Sequence, residues 1–170
     1  QISKMDHIYR GAEVTIISAA GEDEDFGLPG VSNRLRSPQL KARIGDTLFV
    51  STLAHPACVI EASKWSTRGW TYQEAVLSRR RLVFTEEQVY FECNAMNCCE
   101  SLHVPQIVIN EVGSPQYRSS GLFSGSARVN LWDRDEPYRS FIEHATNFSW
   151  RTLTYESDAL NAFLGVARSY

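Results

Sequence analysis

Residues 65–93 read W-S-T-R-G-W-T-Y-Q-E-A-V-L-S-R-R-R-L-V-F-T-E-E-Q-V-Y-F-E-C, an amphipathic stretch running straight into two β-rich segments. Trp65 to Ser78 predicts one helix. With Trp70 as origin and about 100° per residue, Tyr72, Val76 and Leu77 fall on an apolar arc from about 200° to 360°. Gln73, at about 300°, lies inside that arc, and Glu74, at about 40°, lies at its edge, one turn from the Trp70 indole. A half-buried carboxylate in such a place must be paired, proton-shifted or used. After the helix, 81–85 (R-L-V-F-T) and 88–93 (Q-V-Y-F-E-C) are rich in β-branched and aromatic residues across Glu86-Glu87, which predicts a hairpin.

Working outward, Ile2, Met5, Ile8 and Tyr9 recur at helical spacing and Gly11 ends that helix. Residues 13–18 (E-V-T-I-I-S) follow, a run with little alternation that suits a central strand covered on both faces. Glu22-Asp23-Glu24-Asp25 reads as a solvated acidic loop. Gly45-Asp46 joins strand candidates 39–44 and 47–53, a second hairpin, which His55-Pro56 ends; His55 reads as a loop residue rather than a catalyst. Residues 100–130 lose pattern in Gly, Ser, Pro and Gln, and only Ile107-Val108-Ile109 looks regular, so they are expected to form a variable excursion. Helices are expected at 137–148, with Tyr138, Phe141, Ile142 and Ala145 on one face, and from about Thr154–Ser157 onward, with Leu160, Phe163, Leu164 and Ala167 turned inward. The order predicts an α/β domain with a mixed sheet, flanking helices and antiparallel hairpins rather than a regular β-α repeat.

Composition narrows the function classes. The 170 residues, 43% hydrophobic and 22% charged with a net charge of −3, describe one ordinary globular domain. The acidic balance gives no footprint for nucleic acid, and the one basic run, Arg79-Arg80-Arg81, reads as cations at a helix C-terminus. No apolar run approaches the ~18 residues that span a bilayer, and there is no signal-peptide pattern, so a soluble cytoplasmic protein without membrane contact is expected. Gln1-Ile2-Ser3-Lys4-Met5 enters a helix without an initiator methionine, which reads as an excised fragment. The four cysteines read as reduced thiols. Cys93, Cys98, Cys99 and His103 form a C-x4-C-C-x3-H cluster whose adjacent ligands do not match a C-x2-C zinc knuckle, so no metal is expected.

No G-x-S-x-G, G-x-x-x-x-G-K-[ST], H-E-x-x-H or G-x-G-x-x-G pattern occurs. The Trp-rich stretch therefore carries the chemical interest. Glu74 suits a general acid or base, or a stabiliser of positive charge on a sugar as a glycosidic bond breaks. Trp70 would form an aromatic wall and Gln73 would orient hydroxyls. The same residues also fit a structural brace, with Arg68 or one of Arg79–Arg81 pairing Glu74 and Gln73 satisfying buried backbone groups. Both readings stay open on spacing alone.

A set of motifs adds a family. Met5-Asp6-x-Ile8-Tyr9-Arg10-x-Ala12, Thr15-Ile16-Ile17-Ser18-Ala19-Ala20, Gly27-Leu28-Pro29-Gly30-Val31, Trp65-x-x-Arg68-Gly69-Trp70-Thr71-Tyr72-Gln73-Glu74-x-x-Leu77-Ser78-x-Arg80 and Phe91-x-Cys93 resemble, in order, the fungal heterokaryon incompatibility (HET) domain. Arg151-x-Leu153-Thr154-x-x-x-Asp158-x-Leu160-x-Ala162-x-x-Gly165 is similar to its closing segment. The family's opening Ser-Tyr-x-Trp-Gly and Trp-Ile-Asp-x-Leu-Cys-Ile types of motif are missing, so the chain looks like the later portion of a single HET-type domain, residues 1–170. The resemblance implies an effector of non-self recognition and programmed cell death. Through distant similarity to Toll/interleukin-1 receptor (TIR) domains, it also implies a flavodoxin-like core and NAD as a substrate. On that basis Glu74 is the catalytic candidate and Trp70, Gln73 and Arg68 are candidate substrate-binding residues, with no cofactor. The rival implication is a non-catalytic module that signals by binding other protein domains or by self-association.

Overall fold

The computed structural model describes residues 4–93, 96–101 and 137–170. Helix α1 (Met5–Gly11) leads into strand β1 (Thr15–Ser18), then a 3-10 turn at Glu24–Phe26 and the hairpin β2 (Lys41–Ile44) and β3 (Thr47–Val50). Three short helices follow, α2 (Pro56–Glu61), α3 (Lys64–Thr67) and α4 (Thr71–Leu77), then strands β4 (Arg80–Phe84), β5 (Val89–Cys93) and β6 (Asn97–Cys99). Helix α5 (Pro137–Ser149), a 3-10 turn (Glu156–Asp158) and α6 (Ala159–Ala167) close the order. The expected excursion lies, apart from Glu100 and Ser101, outside the described residues, as do His103 and Ile107–Ile109.

The main sheet runs β1-β4-β5-β6, with β1 parallel to β4 and the remaining pairs antiparallel. This is the expected mixed α/β arrangement. Both expected hairpins form, one across Gly45-Asp46, where Gly45 takes φ +58°, and one across Glu86-Glu87. His55 sits at the N-cap of α2, where its Nδ1 accepts the Ala57 amide at 3.3 Å. The core gathers Ile17, Ile60, Trp65, Tyr72, Val76, Leu77, Val83, Tyr90 and Val166, with Tyr9, Phe148 and Phe163 packed against it.

Several expectations are corrected. Strand β1 is not covered on both faces: it is the edge of the described sheet, and Ile16 is 56% exposed while Ile17 is buried. The 65–78 helix is two helices. Between them Arg68 turns extended and bridges Thr152, with the Gly69 amide donating to the Thr152 carbonyl and the Thr152 amide to the Thr67 carbonyl, both at 2.7 Å. A Cβ on Gly69 would come within 2.5 Å of the Leu153 side chain, so a larger residue there would push Leu153 aside. Arg80 and Arg81 belong to β4, although Arg81 Nε does donate to the Ala75 carbonyl near the end of α4, at 2.5 Å.

The helices also bury faces other than the apolar stripes. On α1, Ile8 is exposed and Asp6 is buried. On α5, Tyr138 and Ile142 are exposed while Ser140 and His144 are buried, with Tyr72 Oη and His144 Nδ1 2.7 Å apart. On α6, Leu160 is exposed and the small residues Ala162 and Gly165 are buried with Val166. Small residues let α6 close on α1 and α4. A Cβ at Gly165 would meet Gln73 Oε1 at 2.3 Å and Asp6 Cβ at 2.6 Å. Gly165→Ala should therefore destabilise the fold by about 1–3 kcal/mol through overpacking, outweighing the ~1 kcal/mol that alanine adds to helix propensity at best. A thermal melt read by circular dichroism should show Tm lower by a few degrees; an unchanged or higher Tm would show that α1 and α6 separate freely.

Candidate functional site

The Gly69 break brings Trp65 onto Glu74. In one continuous helix the two side chains, nine residues apart, would point about 180° from each other. Here Trp65 Nε1 donates to Glu74 Oε2 at 2.9 Å, and the Tyr9 hydroxyl, from α1, donates to Glu74 Oε1 at 3.1 Å. Glu74 is thus half-buried beside an indole, as expected, but the indole is that of Trp65. Burial, then the Glu74 charge and the hydrogen bond to it, push the Tyr9 hydroxyl well above the usual phenol range. Tyr9 therefore stays a proton donor at physiological pH.

A cation stands near enough to feel the carboxylate's charge. The Arg151 guanidinium lies 4.8 Å from the centroid of the Tyr72 ring and donates to Thr71 Oγ1 at 3.1 Å and the Arg68 carbonyl at 3.2 Å. Burial lowers its pKa, and the neighbouring Tyr72 and Glu74 oppose that fall. Arg151 sits in the 149–152 connection that docks on the Gly69 break, so it links that connection to the start of α4.

The other sequence candidates diverge from Glu74. Gln73 is 1% exposed and faces α6, its Nε2 donating to the carbonyls of Asn161 at 3.0 Å and Ala162 at 2.9 Å. Its buried Oε1 has no hydrogen-bond partner among the described residues and abuts Gly165. Trp70 is half-buried at the residue preceding α4, and Arg68 is exposed, its backbone carbonyl engaged by Arg151 and Thr71. Tyr9, Trp65 and Arg151 were not predicted as partners of this site. Tyr9 and Trp65 could have been suspected only as polar-tipped aromatics, which seek a partner when buried.

A separate buried charge lies in the sheet. Glu92 is 1% and Arg81 5% exposed, and they face each other across β4 and β5. The Tyr90 hydroxyl donates to Glu92 Oε2 at 2.7 Å. Burial lowers the Arg81 pKa, and the Glu92 charge is the largest influence opposing this. The cysteines carry no disulfide, and burial raises the pKa of the Cys98 and Cys99 thiols. Among the described residues no group of three or more His, Cys, Asp or Glu is placed to hold a metal ion, and no helix is long and apolar enough to cross a membrane.

Residues 1–74 match the family model of Heterokaryon incompatibility protein (HET). That match supports a heterokaryon incompatibility domain in the chain and, with it, a fungal context. Its last residue is Glu74, so the Tyr9–Trp65–Glu74 cluster lies wholly within the HET match. Arg151 and the α6 carbonyls that hold Gln73 lie beyond it. No curated protein and no solved structure matches the chain.

Proposed function

We propose that this chain is a cytoplasmic effector of heterokaryon incompatibility that promotes cell death by cleaving NAD, with Glu74 as its catalytic residue. One observation carries the reading: the Glu74 carboxylate is held by two neutral donors, the Trp65 N–H and the Tyr9 hydroxyl. Neutral donors fix the orientation of a carboxylate without cancelling its charge. A half-buried, oriented negative charge can stabilise an oxocarbenium-like ribose. In the reaction the C1′–N bond breaks, its electron pair leaves with nicotinamide, and water adds at C1′ to give ADP-ribose and a proton. NAD enters as the substrate through the family resemblance. Trp70 and Arg68 flank the start of α4 and are the substrate-facing candidates, whereas the Gln73 amide is engaged with α6. The test is nicotinamide release from NAD by the full-length protein and its Glu74→Gln variant.

A second reading, a non-catalytic module acting through self-association or other protein domains, is favoured by the β2–β3 hairpin. All eight of its residues are exposed, including Ile44, Leu48, Phe49 and Val50. Apolar side chains gathered on an exposed ribbon suit an interface. If this reading is right, wild-type protein releases no nicotinamide, and Phe49→Glu lowers the sedimenting mass while leaving Tm unchanged. Monomeric wild-type protein at high concentration, with no partner lost on the substitution, would refute it.

A further inference from the structure

Between the start of α1 and the end of α6 lies an open hollow of about 470 Å³ lined by Lys4, Asp6, His7, Arg10 and Arg168. Its volume is in the range that holds a small metabolite. Counting its Lys, Arg and Asp side chains, three cations face one carboxylate, an excess of two positive charges in a chain whose net charge is −3. The one carboxylate is already occupied: Asp6 is 5% exposed, and its Oδ2 lies 3.5 Å from the Arg168 guanidinium. Arg10 is held in place by the Gly165 carbonyl, at 3.2 Å, and by the Ser169 hydroxyl. Both guanidiniums are therefore tethered before any ligand arrives, which lowers the ordering cost of binding.

We infer that this hollow binds a small molecule through a phosphate or diphosphate group, with Arg10, Arg168 and Lys4 as its contacts. Two guanidinium forks and an ammonium converging on one hollow match the several oxygens of a phosphate. A lone carboxylate, with two oxygens and one charge, would leave at least one of the cations unused. The site is independent of the proposed chemistry at Glu74, because α1 presents Tyr9 to Glu74 but Asp6 and Arg10 to α6.

The experiment is a titration of the full-length protein with pyrophosphate, and in parallel with inorganic phosphate, followed by calorimetry and by Tm at constant ionic strength set with chloride. Wild type should show saturable binding, tighter for pyrophosphate, and a Tm that rises with ligand concentration. Lys4→Gln together with Arg10→Gln should weaken binding at least about tenfold, the scale of a lost charge-assisted contact. Arg79→Gln, an exposed cation outside the hollow, should bind as wild type does. Because Arg10 also tethers α6, Lys4→Gln alone serves as the variant that leaves this clasp intact, and it too should weaken binding several-fold. No saturable binding, or equal affinity in the Lys4→Gln and Arg79→Gln variants, would overturn the inference.

Discussion

Glu74→Gln is expected to lower nicotinamide release from NAD about a hundredfold or more in the full-length protein, the scale at which a preorganised electrostatic group acts in a transition state. The substitution preserves the shape of the side chain and removes its charge. It also turns one acceptor into an NH2 group, so the Tyr9 hydroxyl or the Trp65 N–H loses its partner, which should cost about 1 kcal/mol of stability. The two readouts therefore separate. Tyr9→Phe removes a neutral donor and leaves the carboxylate charged, so it should retain far more activity than Glu74→Gln at a similar Tm. If Glu74→Gln and wild type release nicotinamide equally, or neither releases any, the enzymatic reading fails. A fall in Tm of several degrees with incompatibility signalling intact would instead make Glu74 a brace between α1, α3 and α4.

The largest stability effect is expected at a residue with no part in that chemistry. Glu92→Ala should destabilise the fold by about 3–5 kcal/mol, because it leaves the buried Arg81 guanidinium without its facing carboxylate. The Tyr90 hydroxyl would lose its acceptor as well. For a chain of this length the fall in Tm should be on the order of 10 °C, measurable by scanning calorimetry. Replacing both Arg81 and Glu92 by methionine should recover much of the loss, since an apolar pair of similar volume removes the uncompensated charge. A double variant as unstable as Glu92→Ala would show that the two charges are held by separate partners rather than by each other.

The sheet strands around these charges were legible in residues 81–93, where β-branched and aromatic side chains surround a two-glutamate turn and the pairing is local. The same holds for the hairpin across Gly45-Asp46, because turn and strands are adjacent in the chain. The edge position of β1 in the described sheet was not legible. A continuous apolar run shows that a strand is possible, but its neighbours are chosen by segments distant in sequence. The arginine run divides for a related reason: a cation after a helix and a cation in a following strand have the same local sequence, and Arg81 is both, lying in β4 opposite Glu92 while donating to the Ala75 carbonyl near the end of α4.

The candidate site divides along the same line. That Glu74 is a half-buried carboxylate beside an indole followed from its position in an amphipathic stretch. Which indole it meets did not. Gly69 interrupts the helix because Thr152 and Leu153 pack against it, and that interruption swings Trp65 to the carboxylate.

By itself, the sequence determined most element types, though not α2, β6 or the break between α3 and α4, together with the mixed α/β class and the block of residues that resembles the HET family, all of which rest on spacings within a few turns or strands. Only the tertiary structure decided which faces are buried and what Glu74 touches. Apolar periodicity predicts a buried face when water avoidance alone selects it. At Asp6, Gln73 and His144 the buried face carries polar groups, and their burial is tolerable only because Arg168, the α6 carbonyls and Tyr72 supply partners from remote parts of the chain.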